Sequence, residues 1–161
     1  MKFRRLRKDE LQELEAEFIR FLSANTVTGD DWERLKKEQS ERADNLIDLF
    51  SDIVFEKILK KLEYLEFKAP KDIRTFHCEA DRMVMFGLKV EGQSTIDFTQ
   101  NQDPLQMIQS VQDSHSKVQL YRAEKTYSKE RELELFEMME QGCLISKGEL
   151  FNTLKNISEQ H

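Results

Sequence analysis

The chain has 161 residues, of which 39% are hydrophobic and 35% charged, and its formal net charge is −6. A length of this order suits one domain and buries roughly two-thirds of the surface that the unfolded chain exposes, so folding requires neither a metal nor a disulfide. Eleven Phe residues, with many Leu and Ile, exclude a disordered chain, and the high charge content favours amphipathic helices over an all-β architecture.

Cys78 and Cys143 lie far apart with no CxxC spacing, which predicts free thiols in a reducing compartment. No apolar run approaches the ~18 residues of a membrane span, and no apolar stretch follows the basic N-terminus as it would in a secretory signal. The expected location is the cytoplasm, with no membrane partner. Lys2, Arg4, Arg5, Arg7 and Lys8 fall within residues 1–8, which contain no acid. The sequence therefore reads as a basic arm, 1–8, followed by a strongly acidic body, 9–161, expected to form a single α+β domain.

In chain order, Asp9 with Gln12 has the form of a capping box, and Leu11, Leu14, Phe18, Phe21 and Leu22 recur at helical spacing, predicting a helix over Glu10–Ala24. Thr28 is placed to cap a second helix whose first turn carries Asp30 and Asp31. The polar run 36–42 predicts a break near Ser40 or an exposed middle. Beyond it Ala43, Leu46, Ile47, Phe50, Ile53, Val54, Ile58, Leu62 and Leu65 trace one helical stripe, with Phe55 and Leu59 off it. This is the expected central helix, continuing to Phe67 and stopped by Pro70.

Residues 73–79 and 82–90 read as a β-hairpin. Thr95–Thr99 fits a short strand or an extended loop. Asp103 with Pro104 opens a short helix through Leu105, Ile108 and Val111, and Val118–Lys125 reads as a third strand. A closing helical pair is expected, the first helix capped by Ser128 and ended by Gly142 in a left-handed conformation, the second opened by a Ser146–Glu149 capping box. The whole reads as a helix-rich α+β fold of order ααββαβαα, with a small three- to four-stranded sheet packed on the central helix.

Two charged features stand out as candidate sites. The arm, with Phe3 and Leu6 between its cations, is suited to phosphate contact by counterion release or to docking on an acidic protein surface; its bland reading is a solvated terminus. On the central helix Asp44, Asp48, Asp52 and Glu56 follow one another at i, i+4, with Glu41 just before. Such like-charged neighbours destabilise a helix by about 0.2–0.5 kcal/mol per pair. The row is expected to be exposed, as a solvated face or as a docking strip for a basic partner or for the chain's own arm.

Other chemistry finds little support. There is no Glu-x-x-His for a bundle di-metal centre. His77 and Cys78 are adjacent on a predicted strand and point to opposite faces, which disfavours a shared metal or a nucleophile pair. Phosphate loops and a nucleophile elbow are absent. The closing helices carry too few Arg, Lys, Asn or Gln for a DNA-recognition helix. No catalytic residue, cofactor or metal ligand is assigned.

The opening MKFRRLRKDELQELEAEFIRFL, the stretch LIDLFSDIVFEKILKKLEYLE and the ending FEMMEQGCLISKGELFNTL together resemble a conserved family of small cytoplasmic proteins of unknown function from Bacteroidota, especially flavobacteria. The resemblance covers nearly the whole chain, with nothing matched over 92–117. It implies a bacterial cytoplasmic protein and brings no catalytic or binding residue with it. The favoured expectation is a non-catalytic interaction or regulatory protein with an unknown protein partner. Its alternatives are an RNA- or ribosome-associated protein using the arm, and an unrecognised enzyme or small-ligand binder. The sequence leaves the oligomeric state open.

Overall fold

The computed structural model describes residues 1–100 and 103–160. The chain divides into two compact units, Met1–Lys60 and Lys61–His161. Among the described residues there are seven helices and one five-stranded antiparallel sheet. The α+β class stands, but the strand count and the element order differ from expectation.

The first unit is helical, with α1 (Lys8–Glu13), α2 (Glu15–Ala24), α3 (Gly29–Glu38) and α4 (Ser40–Lys61). The single helix expected over Glu10–Ala24 is two, jointed at Leu14, whose φ of −101° and ψ of 22° leave the helical region. Asp9 does not cap it; α1 starts earlier, and the Glu10 carboxylate accepts the Arg7 N–H at 2.7 Å. Thr28 does cap α3: its hydroxyl accepts the Asp31 N–H at 3.2 Å, and the Asp31 carboxylate accepts the Thr28 N–H at 3.1 Å. The break expected near Ser40 falls at Gln39 (φ −137°).

Helix α4 buries Ala43, Phe50, Ser51, Phe55 and Leu59. The expected stripe is therefore only partly the covered side, since Ile53 and Ile58 are 49% and 40% exposed. Apolar residues lie on more than one side of α4, so periodicity alone does not say which side is covered. Phe18 anchors an aromatic cluster, with its ring 5.0 Å from that of Phe50 and meeting Trp32 edge-on at 5.1 Å. These are favourable ring geometries.

The second unit holds β1 (Tyr64–Ala69), β2 (Asp72–Cys78), β3 (Arg82–Val90), α5 (Pro104–Asp113), β4 (Val118–Thr126), α6 (Arg131–Glu140), β5 (Leu144–Ser146) and α7 (Glu149–Glu159). The sheet order is β4-β3-β2-β1-β5. Two strands were not expected. Leu62 and Leu65 continue a helical period, but Tyr64–Ala69 also alternates, and it pairs with β2 through a tight turn at Pro70-Lys71. Pro70 thus turns a hairpin instead of ending a helix. Strand β5 interrupts the expected helical pair and adds to the other edge of β1, Leu65 facing Ile145. Thr95–Thr99 is loop.

Gly142 does take a left-handed conformation (φ +113°) after α6. However, α6 has Glu130 and not Ser128 at its N-cap, and α7 has Gly148 and not Ser146. Gly148 sits at φ +88°, and a Cβ there would come within 2.6 Å of the Tyr64 ring, so two independent constraints demand glycine. On one face of the sheet, Ile73, Val84, Phe86, Leu88 and Val90 pack in a buried cluster with Met107 and Val111 of α5 and Leu150, Phe151 and Leu154 of α7.

Candidate functional site

The most elaborated polar site lies within the helical unit, where residues 2–6 run along α4 in the opposite direction to the helix. Asp52 accepts two consecutive main-chain N–H groups, those of Lys2 at 2.8 Å and Phe3 at 3.0 Å. Lys2 Nζ meets Glu56 at 3.0 Å. Arg5 grips Asp48 with Nε at 2.6 Å and Nη2 at 3.1 Å, and its Nη1 lies 3.9 Å from Asp44. All four acids of the i, i+4 row thereby face residues of the arm. The row is not the fully exposed face expected: Asp44 is exposed, whereas Asp48, Asp52 and Glu56 are half-buried. Cations set along a row of like charges relieve its repulsion.

Charge is only part of the attachment. The Leu6 side chain is buried, and its N–H donates to Ser51 Oγ at 2.9 Å. The Ser51 hydroxyl in turn donates to the Ile47 carbonyl at 2.7 Å, so this fully buried hydroxyl both gives and receives. Phe3 packs on Phe55 with ring centroids 6.0 Å apart, and the Arg4 guanidinium lies 4.9 Å from the Phe55 ring centroid, a cation–π arrangement. Arg4 also forks onto Glu10 at 2.8 and 3.0 Å. The arm's remaining cations, Arg7 and Lys8, are exposed.

The electrostatics follow from these bonds. Hydrogen bonding from Arg4, helped by the Arg7 N–H, holds the Glu10 carboxyl down to about 2. Asp48 is held below the ordinary carboxylate range by its hydrogen bonds from Arg5, and the Arg5 guanidinium is correspondingly raised. Ser51 was not singled out from the sequence, because a serine inside an apolar helical stretch reads as neutral filler. The signal available was its place one residue before Asp52, beside the acidic row.

In the sheet unit, α6 supplies a second polar centre that no motif announces. Arg131 donates from Nε to the Glu79 carbonyl at 3.0 Å and from Nη2 to the Leu62 and Cys78 carbonyls at 2.5 and 2.9 Å. Glu134, only 6% exposed, accepts the Ser128 N–H at 3.0 Å and pairs with Lys125. Between α6 and the sheet face opposite the core cluster is a mainly apolar cleft of about 300 Å³ lined by Phe76, Met83, Met85, Ala123 and Met138, with Glu124, Lys125 and Glu134 at its polar side. His77 lies on the core face, stacked 4.7 Å from the Tyr64 ring, and Cys78 faces the other way. Burial pushes the Cys78 thiol up to about 12 and raises that of Cys143. A thiol so raised stays protonated at neutral pH and is a poor nucleophile.

Among the described residues no three of His, Cys, Asp or Glu converge as a metal-ligand set, and no helix is long and apolar enough to cross a membrane. The architecture defines a helix-rich α+β protein whose helical unit carries a basic segment seated on an acidic helix. The chain belongs to a family of unknown function (DUF6495), whose family model matches residues 1–159. No curated protein and no solved structure matches it.

Proposed function

We propose that this is a non-catalytic, cytoplasmic bacterial interaction protein in which the acidic row of α4 is a docking strip for extended basic segments and residues 1–8 are its internal occupant. The carrying observation is the manner in which the arm is held: Asp52 receives the N–H groups of residues 2 and 3, and Ser51 that of residue 6. Main-chain bonds of this kind do not depend on the side chains of the bound segment. Specificity comes from a buried apolar anchor, the Leu6 position, and from cations opposite Asp48 and Glu56. A partner with an extended basic segment and an apolar residue at the matching place would exchange with the arm. The resemblance to proteins of Bacteroidota supports the bacterial and cytoplasmic parts of the proposal.

The test uses the chain with Arg4, Arg5 and Leu6 changed to Ala, which removes the buried anchor as well as the cations and so loosens the arm without shortening the protein. A fluorescent peptide of residues 1–8 should bind it saturably, more weakly as salt rises, and should not bind when Asp48→Asn and Asp52→Asn are added. A peptide that fails to bind this variant would sink the proposal. Purification of the unmodified protein from its native cell, with and without nuclease, separates the readings further: a protein partner that survives nuclease supports the docking strip, and ribosomal proteins lost with nuclease would move the arm's role to RNA.

A further inference from the structure

Among the described residues, strand β4 is one free edge of the sheet over nine residues, Val118–Thr126, and all of it except Leu120 and Tyr121 is exposed. An unpaired edge presents a row of main-chain donors and acceptors that can template another strand. The opposite edge, β5, is only three residues long, and so short an edge strand is itself a guard against pairing. Soluble proteins guard long edges with proline, with bulges or with charged side chains, which repel a second strand that carries the same charge opposite them. Strand β4 has no proline, and its charges are of both signs and already matched, Arg122 with Glu124 at 2.7 Å and Lys125 with Glu134. The apolar cleft lined by Phe76, Met83, Met85, Ala123 and Met138 opens beside this edge.

We propose that β4 pairs with β4 of a second copy of this chain, antiparallel about a two-fold axis through Ala123, joining two five-stranded sheets into one. In an antiparallel pair related by two-fold symmetry the axis passes through one residue, so few registers exist. Centring on Ala123 sets Arg122 opposite Glu124 of the second copy, twice, with Tyr121 opposite Lys125 and Leu120 opposite Thr126. Centring on Arg122, Glu124 or Lys125 would set that residue against itself. Centring on Tyr121 or on Leu120 would set Arg122 against an apolar residue, Leu120 or Val118, with no opposite-charge pair inside the strand. Like charges directly opposite are destabilising and unlike charges stabilising, so charge selects Ala123. The same axis brings the two clefts side by side, because Ala123 lines each of them, and association removes their apolar surface from water.

Sedimentation velocity over a concentration series tests this on the full chain. The mass should double as concentration rises. Arg122→Glu should hold the mass at that of one copy, and the double exchange Arg122→Glu with Glu124→Arg should restore the doubled mass, since the opposite charges are then swapped and not lost. Both side chains are exposed, and unchanged circular dichroism checks that the variants fold. Ala123→Cys should oxidise to a disulfide-linked dimer, because directly opposed Cβ atoms lie about 4.5–5.5 Å apart and the native Cys78 and Cys143 are buried. A chain that keeps the mass of one copy throughout overturns the proposal. So does a dimer indifferent to Arg122→Glu, or one that the charge exchange fails to rescue.

Discussion

In the helical unit an extended segment is fastened by carboxylates, a buried serine hydroxyl and one leucine, whereas in the sheet unit two helices close over an apolar face whose cluster contains no charged residue. The first kind of attachment responds to salt and pH, the second to volume. Surface ion pairs contribute about 0–1 kcal/mol each, while a fully buried leucine contributes several times that. The chain also distributes its chromophores unevenly: its one Trp, Trp32, is in the helical unit, and its three Tyr, at 64, 121 and 127, are in the sheet unit. Each unit can therefore be followed by its own signal.

The largest effect is expected at Leu154, which is fully buried in the cluster. Leu154→Ala should destabilise the sheet unit by about 3 kcal/mol, read as a lower denaturation midpoint of the tyrosine signal. If the Trp32 midpoint fell equally, the two regimes would be one cooperative unit and the comparison would break. Arg131→Met comes next, at about 2–3 kcal/mol, because it removes the shared donor of the Leu62 and Cys78 carbonyls, while the Glu79 carbonyl keeps only the Tyr127 hydroxyl. Arg131→Lys should not restore stability, since an ammonium cannot reproduce the planar fork that reaches all three. A lysine variant as stable as the native chain would show that charge, and not geometry, is what this position supplies.

The sequence makes the sheet's centre legible, because β2 and β3 are short runs rich in apolar and β-branched residues, bounded by short polar connections. It hides β1 and β5 for different reasons. Leu62 and Leu65 satisfy both a helical and an alternating pattern, and β5 is three residues whose Leu144 and Ile145 are exposed, so only pairing with β1 defines it. The acidic row and the arm are both visible as charge patterns. What pins one to the other is not: Ser51 and the main-chain N–H groups of residues 2, 3 and 6 carry no compositional signal. Arg131 escapes for the same reason, since its partners are backbone carbonyls distant in sequence.

Within the helical unit the charged and uncharged fastenings can be set against each other. Ser51→Ala removes a buried acceptor from the Leu6 N–H and should destabilise by about 1–2 kcal/mol. Arg5→Ala removes partly exposed ion pairs and should cost no more than about 0.5 kcal/mol, an effect that shrinks in high salt. Its sharper readout is Asp48, whose carboxyl titration should move up toward the ordinary range once its hydrogen bonds from Arg5 are gone. If the Arg5 variant proved the less stable of the two, charge would be the principal fastening of the arm.

The last effect is a pH dependence centred on Glu10, which leaves stability at neutral pH unchanged. Its carboxyl is held at about 2 in the folded chain, against an ordinary value of 4.5, first by the Arg4 hydrogen bonds and then by the Arg7 N–H. A depressed carboxyl binds fewer protons folded than unfolded, so its contribution is complete above about 4.5 and is lost as pH falls toward about 2. Asp48, depressed by Arg5, acts in the same direction. Acidification through this window should loosen the arm, while the apolar cluster of the sheet unit contains nothing that titrates there. Carboxyl-detected NMR should place the Glu10 midpoint near the bottom of the window. Arg4→Gln should raise that midpoint only part of the way, because the Arg7 N–H remains a donor. A Glu10 midpoint already in the ordinary range in the native chain would mean that the Arg4 fork contributes nothing, leaving Leu6 and the main-chain bonds as the whole of the attachment.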